Sequence, residues 1–255
     1  MARLIKQGYY SASTYIDSIV GKIVQQIDNN TMLVLLGDHG WSLGEHGEWC
    51  KMSNFEEAVR VPLIFVPPGQ LGSFSHFDVT RNILLDHQYI PSKLVDNFVE
   101  LVDLFPSIVD LAGLPKVPAC TPETTQTTLL CTEGRSWARL VTEPDPYWQD
   151  VAFSQYPRPS IYPRYDSDLP REKDIQYMGY SVRWRQRQEE EGWRCTVWMG
   201  FKALPVPAPD ITDIVGIELY DHQDDEGENS NLAKDKGQIA RIQECFDFIT
   251  KKLEI

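Results

Sequence analysis

No stretch of this 255-residue chain holds the roughly 18 consecutive apolar residues that a membrane-spanning helix requires, so a helical bilayer protein is not expected. Positive charge is also scarce: 24 Lys and Arg stand against 37 Asp and Glu, for a formal net charge of -13. That balance argues against a basic nucleic-acid-binding face. It also disfavours polyanions at a distance, although one local basic pocket would override the overall field. The five cysteines, at positions 50, 120, 131, 195 and 245, form no CxxC pair, which argues against a zinc ribbon. The opening "MARLIKQGYYSASTYID" has neither the apolar core nor the small-residue cleavage site of a signal peptide. It suggests a cytosolic protein or a chain without its original beginning. No internal repeat is found.

What is present suffices for a buried core: 42% of the residues are hydrophobic, and the length fits one large domain or two modest ones. From Gly8 to Ile27, Ala12, Tyr15, Ile16, Ile19, Val20, Ile23 and Ile27 recur at three- and four-residue steps, which predicts a helix with one apolar face. Thr31 to Gly37 and Val61 to Val66 are continuous apolar runs, the pattern of strands buried on both faces of a parallel sheet. "DNFVELVDLFPSIVDLAGLP" predicts one or two helices, with Asp103 as a cap ahead of Pro106 and with Gly113 and Pro115 as the stop. Helix, strand, strand, helix is an α/β layout. Pro115 to Pro146 reads as an irregular excursion and linker. Beyond it "VAFSQY", "YMGYSVRW", "RCTVWMGF" and "IELYD" are short, aromatic and β-branched, as in an antiparallel sheet. "RQRQEEEG" is read as a solvated hairpin loop. Gln238 to Leu253 predicts an amphipathic helix with Ile239, Ile242, Phe246, Ile249 and Leu253 inward.

The chemistry gathers in "LLGDHGWSLGEHGEWCK". Asp38 and His39 follow a buried strand, at the strand end where ligands collect in open α/β sheets. Gly37 and Gly40 flank them and allow a tight turn close to a ligand. An adjacent carboxylate and imidazole there are natural metal ligands; a capped turn with His39 at the surface is the alternative. Glu45, His46 and Glu48 fit an outer ring around a metal, substrate contacts or plain loop polarity. Lys51 would bring positive charge to an anion at the metal. Asn29-Asn30-Thr31 is a glycosylation sequon in a turn. The spacing of Cys120 and Cys131 suits either a disulfide or two free thiols.

"GDHGWSLGEHGEWCKMSNFEEAVRVPLIFVPPG" resembles the sulfatases of the alkaline-phosphatase superfamily. So do "YYSASTYIDSIVGKIV", "VELVDLFPSIVDLAGLP", "SQYPRP", "YMGYSVR" and "ELYDHQDDEGENSNLA". The resemblance spans nearly the full chain. It implies the C-terminal half of an α/β catalytic domain with a mostly parallel sheet over residues 1–148. A small α+β subdomain, with an antiparallel sheet and a C-terminal helix, would follow over residues 149–255. It implies a sulfuric ester hydrolase with Asp38 and His39 as metal ligands, Lys51 at the sulfate and Trp41 at the pocket mouth. It further implies a glycan on Asn29, a disulfide between Cys120 and Cys131 with the other cysteines free, and a lysosomal or secreted location. Calcium is the metal of the family, although calcium prefers oxygen ligands and an imidazole beside it is unusual. The implied substrate is 2-O-sulfated iduronate in dermatan or heparan sulfate.

The family's nucleophile is a formylglycine made from the cysteine of "C-x-P-S-R". Cys131 begins "CTEGR" and Cys120 begins "CTPET", and neither fits. The chain is therefore expected to be an incomplete, inactive part of a sulfatase. A non-catalytic binding remnant, or a phosphate or phosphonate ester hydrolase of the same superfamily, are the alternatives.

Overall fold

The computed structural model describes residues 1–69, 77–78, 83–84, 94–121, 123–143, 148–165, 168, 170–186, 189, 191–203 and 205–254. Residues 187, 188 and 190 of the expected "RQRQEEEG" loop and residues 122 and 144–146 of the expected linker lie outside them. The chain divides into two units. One comprises Met1–Lys51 and Glu57–Lys93, the other Met52–Glu56 and Leu94–Ile255.

In the first unit, helix α1 (Ala2–Val24) is followed by strands β1 (Leu33–Leu36), β2 (Ser42–Leu43) and β3 (Trp49–Cys50), the one-turn helix α2 (Glu56–Val59), and strand β4 (Leu63–Val66). Two-residue strands β5 (Phe77–Asp78) and β6 (Ile83–Leu84) pair with each other. α1 starts six residues before the expected Gly8 and runs through that glycine. It has no buried residue, and Tyr15, Ile16 and Ile23 of its apolar set are exposed.

β1 and β4 pair antiparallel, Leu33 opposite Val66 and Leu36 opposite Leu63. The parallel arrangement expected of these two runs is not found between them, and the reason is the connection. A parallel pair needs a crossover that carries the chain back to the strand's starting end. Here the β2–β3 hairpin and the single turn of α2 return the chain to the end it left. Gly37 donates its amide to the Pro62 carbonyl at 3.2 Å, closing that return. Nor are both faces covered: β1 is half-buried throughout, and Ile64 on β4 is 51% exposed.

In the second unit, a 3-10 turn (Leu101–Asp103) leads into α3 (Leu104–Leu111). Glu100 and Asp103 cap one another's backbone amides there, and Gly113 ends the helix at φ 67°. Short helices α4 (Thr124–Thr127) and α5 (Ala138–Thr142) lie within the expected irregular excursion, and Cys120 and Cys131 flank α4 as a disulfide with Cα atoms 4.9 Å apart.

Four antiparallel strands follow: β7 (Val151–Arg158), β8 (Tyr177–Trp184), β9 (Trp193–Lys202) and β10 (Ala208–Asp221), in the spatial order β10-β9-β8-β7. Alternation sorts their side chains. Met178, Tyr180, Val182 and Trp184 face the same side as their cross-strand partners Met199, Val197, Cys195 and Trp193. Helix α6 (Ile239–Leu253) covers that face with Ile242, Cys245, Phe246, Ile249 and Leu253. Ile239, expected inward, is the first residue of the helix and is 65% exposed. Cys195 and Cys245, expected free, form a second disulfide that ties β9 to α6. Packing of the core face brings the two thiols together across 50 residues of chain. The opposite face of β8 and β9 carries Ser181, Arg183, Arg194 and Thr196, all buried although polar.

Candidate metal and anion site

The candidate site is built where β1 ends. Gly37 turns the chain, Asp38 projects with its side chain 88% exposed, and His39 and Gly40 follow. Gly40 is where this turn requires glycine. Its amide donates to the Ala58 carbonyl at 2.8 Å, and a Cβ built there would overlap the Glu57 carbonyl oxygen. That close approach anchors the "DHG" turn against α2.

His39 has a fixed orientation. Its Nδ1–H donates to the Gly40 carbonyl at 2.8 Å, which leaves the lone pair on Nε2 facing outward. Two groups converge on that nitrogen. Asp38 Oδ2 stands 3.4 Å away, and Lys51 Nζ donates to it at 2.5 Å. Three of the residues singled out in the sequence therefore share one spot. The fourth, Trp41, lies beside them, its ring centroid 6.3 Å from that of His39. Tyr9 of α1 stacks on the other neighbour of this group, with ring centroids of Tyr9 and Trp41 5.8 Å apart and an interplanar angle of 26°. Sequence reasoning missed Tyr9, which carries no signal beyond an aromatic residue on a helix.

Glu45 and His46 of the loop have partners elsewhere. Glu45 accepts the Leu43 amide and pairs with Lys6 at 3.7 Å. Its slight burial would raise its carboxyl, but the Glu45 and Leu43 amides and Lys6 outweigh this and hold it below the ordinary range. His46 pairs with Glu57 at 3.6 Å. The loop is strained as well as polar. His46 and Cys50 hold φ of 56° and 80°, a region that costs a side-chain-bearing residue about 1–2 kcal/mol and is retained where the surroundings enforce it.

The donor set suits a cation in part. A histidine whose second ring nitrogen is tied to a carbonyl is oriented as metal-bound histidines are. An adjacent carboxylate supplies the negative charge. Among the described residues no third carboxylate, imidazole or thiol joins Asp38 and His39 within ligand distance. The pair therefore offers two ligands, where calcium takes six to eight oxygens. Asn29 sits exposed in the turn between α1 and β1, shaped by Asp28 Oδ1, which accepts the Asn30 amide at 2.8 Å.

Residues 5–114 match the family model described as Sulfatase, so this part of the chain is a sulfatase-family domain. Over 253 residues, 91% of this chain, it is 38% identical to "Iduronate 2-sulfatase" of Homo sapiens and covers 44% of that protein. The chain thus spans less than half the length of that relative. Its fold is similar to the solved structure of BT1596, described as a 2-O GAG sulfatase, at a TM-score of 0.54 and 22% identity, covering 89% of this chain and 37% of the other. It is also similar to the phosphonate monoester hydrolase SpPMH of Silicibacter pomeroyi, at a TM-score of 0.57 and 22% identity, covering 93% and 39% respectively. At such identities the two structures bear on the fold alone. No helix among the described residues is long and apolar enough to cross a membrane.

Proposed function

We propose that this chain is the C-terminal part of a sulfuric ester hydrolase that removes 2-O-sulfate from iduronate in dermatan and heparan sulfate. The convergence of Asp38 Oδ2 and Lys51 Nζ on His39 Nε2 carries this reading. The 38% identity to human iduronate 2-sulfatase supports the substrate class. Asp38 and His39 would supply two ligands to a calcium ion, whose other ligands come from beyond this chain. A bound divalent ion would act as a Lewis acid on a sulfate oxygen. Lys51 would leave His39 and donate to the sulfate, contributing a few kcal/mol where negative charge builds up. Trp41, held flat by Tyr9, would form an apolar wall at the pocket mouth.

No cysteine of the chain stands in "C-x-P-S-R", so no attacking hydroxyl is assigned to these residues and the chain alone is expected to be inactive. A mostly parallel sheet completed by further residues, a division near residue 148, a glycan on Asn29 and a lysosomal or secreted location belong to the same reading. The alternative is a second reading, in which the same pair and lysine meet a phosphonate ester; the phosphonate monoester hydrolase SpPMH shares the fold. The test is calcium titration of the purified protein and of Asp38→Ala and Lys51→Ala, followed by titration with a 2-O-sulfated iduronate disaccharide and a phosphonate monoester. Loss of calcium binding in Asp38→Ala, together with preference for the sulfated sugar, is the expected result. Retention of calcium by Asp38→Ala would overturn the site, and preference for the phosphonate would select the second reading.

A further inference from the structure

Directly after Lys51 the chain enters the second unit, and from Asn54 it is fastened at successive positions. Asn54, buried, donates its side-chain amide to the Gly179 carbonyl on β8 at 3.0 Å. The Phe55 ring lies 6.1 Å from that of Tyr220 on β10. Glu56 gives its backbone amide to Glu228 Oε2 at 2.8 Å, and its carboxylate takes the Arg194 guanidinium.

Glu228 is the hub. Its side chain is 0% exposed. Oε1 accepts Arg194 Nε at 2.5 Å and meets His222 Nε2 at 2.8 Å, while Oε2 takes the Glu56 amide. Its backbone sits at φ 52°, the left-handed region that a glutamate occupies only under constraint. Donor atoms of Glu56, His222 and Glu228 lie within 4.8 Å of one another, in the manner of a metal cluster. The cation already there is Arg194, which touches both carboxylates. The group is therefore an ion network that also holds the backbone amide of Glu56.

We propose that Glu228, oriented by His222 and Arg194, is a positioning residue for Lys51: it clamps residues 54–56 and so fixes the end of the segment that carries the lysine. The inference rests on the reading that Lys51 meets the sulfate. A lysine on a tethered segment loses less freedom when it binds an anion than one on a free loop, so the clamp contributes to anion affinity without touching the anion.

The test uses the full chain, with hydrogen exchange read by mass spectrometry, tryptic cleavage after Lys51, and calorimetric titration with inorganic sulfate. The variants are Glu228→Gln, His222→Ala, His222→Gln and Lys51→Ala. In Glu228→Gln and His222→Ala the amides of 54–57 are expected to exchange roughly tenfold faster, as local opening of one hydrogen-bonded segment allows. Trypsin should cut faster after Lys51, and sulfate affinity should fall several-fold, with β8 and β9 protection retained. His222→Gln, whose amide can donate to the same oxygen, should restore all three readouts. If Glu228→Gln does not fold, His222→Ala with its glutamine rescue decides. Unchanged exchange over 54–57 overturns the clamp, and so does faster exchange with undiminished sulfate affinity. Sulfate binding left intact by Lys51→Ala would overturn the role of the lysine, while the exchange data would still judge the clamp.

Discussion

Lys51 Nζ donates to His39 Nε2 at 2.5 Å, on the one lone pair of the imidazole that a metal could use. The lysine and a cation therefore compete for the same nitrogen. Lys51→Ala removes a charge-assisted hydrogen bond of about 1.5–3 kcal/mol from the metal-free form. In the absence of sulfate it should bind calcium on the order of tenfold more tightly, as measured by calorimetry. Weaker calcium binding by Lys51→Ala would contradict the competition.

Gly40 is held where a side chain has no room, against the backbone of Glu57. Gly40→Ala must push the "DHG" turn off α2 and break the bond to the Ala58 carbonyl. A loss of about 2–4 kcal/mol in stability is expected, the size of an overpacked or strained core position. Calcium affinity should fall with it. Denaturant unfolding with parallel calcium titration checks both.

The two disulfides should differ in weight. Cys195–Cys245 closes 50 residues and Cys120–Cys131 closes 11. Loop-closure entropy then gives about 4 kcal/mol for the first and about 3 kcal/mol for the second, before any native-state strain. The first also joins β9 to α6 through the core, so Cys245→Ala additionally leaves a buried thiol at Cys195. Calorimetric scans of Cys245→Ala and Cys131→Ala should show the larger drop in midpoint for Cys245→Ala.

Buried Glu228 and half-buried Glu100 should give acid responses of opposite sign. Burial alone would lift Glu228, but the His222 hydrogen bond, the Arg194 charge and the Glu56 amide outweigh it and hold its carboxyl below the ordinary range. An unfolded glutamate titrates near about 4.3. The Glu228 contribution is thus fully present above that value and lost as pH falls through the lower folded value. Burial lifts Glu100 despite the Phe153 amide, so its contribution is present at low pH and declines as pH rises from about 4.3 through the raised folded value. Urea unfolding across pH 3 to 7 (roughly the window of both groups) should show a shallower acid loss in Glu228→Gln. In Glu100→Gln the decline toward neutral pH should shrink.

Much of the sheet was legible because alternation is a local property: every second residue of "YMGYSVRW" and "RCTVWMGF" is apolar, and those residues form the core face. The direction of β4 beside β1 was not, since an apolar run says nothing of how the chain returns, and here a hairpin and one helical turn decide it. Asp38, His39 and Lys51 were legible as a cluster, because a strand end followed by glycines, acid and imidazole has few structural uses. Their meeting at one nitrogen depends on the Gly40 carbonyl fixing the ring, which no pattern announces. Cys195 and Cys245 pair across 50 residues, too far for spacing to suggest. The Glu228 hub was invisible for the same reason, its partner Glu56 lying 172 residues earlier.

That separation has a consequence for how the molecule is made. Residues 52–56 leave the ribosome long before Arg194 and Glu228 exist, and they belong to the unit completed last. The pentapeptide has to wait, and the search for its socket closes a very large loop, a slow class of folding event. In a polypeptide of residues 94–255 the socket would lack its pentapeptide, and Arg194 would face Glu228 without the Glu56 carboxylate. A synthetic peptide of residues 52–56 would then act as the late-arriving piece, and the time course of its capture would report the last step in the maturation of the native chain.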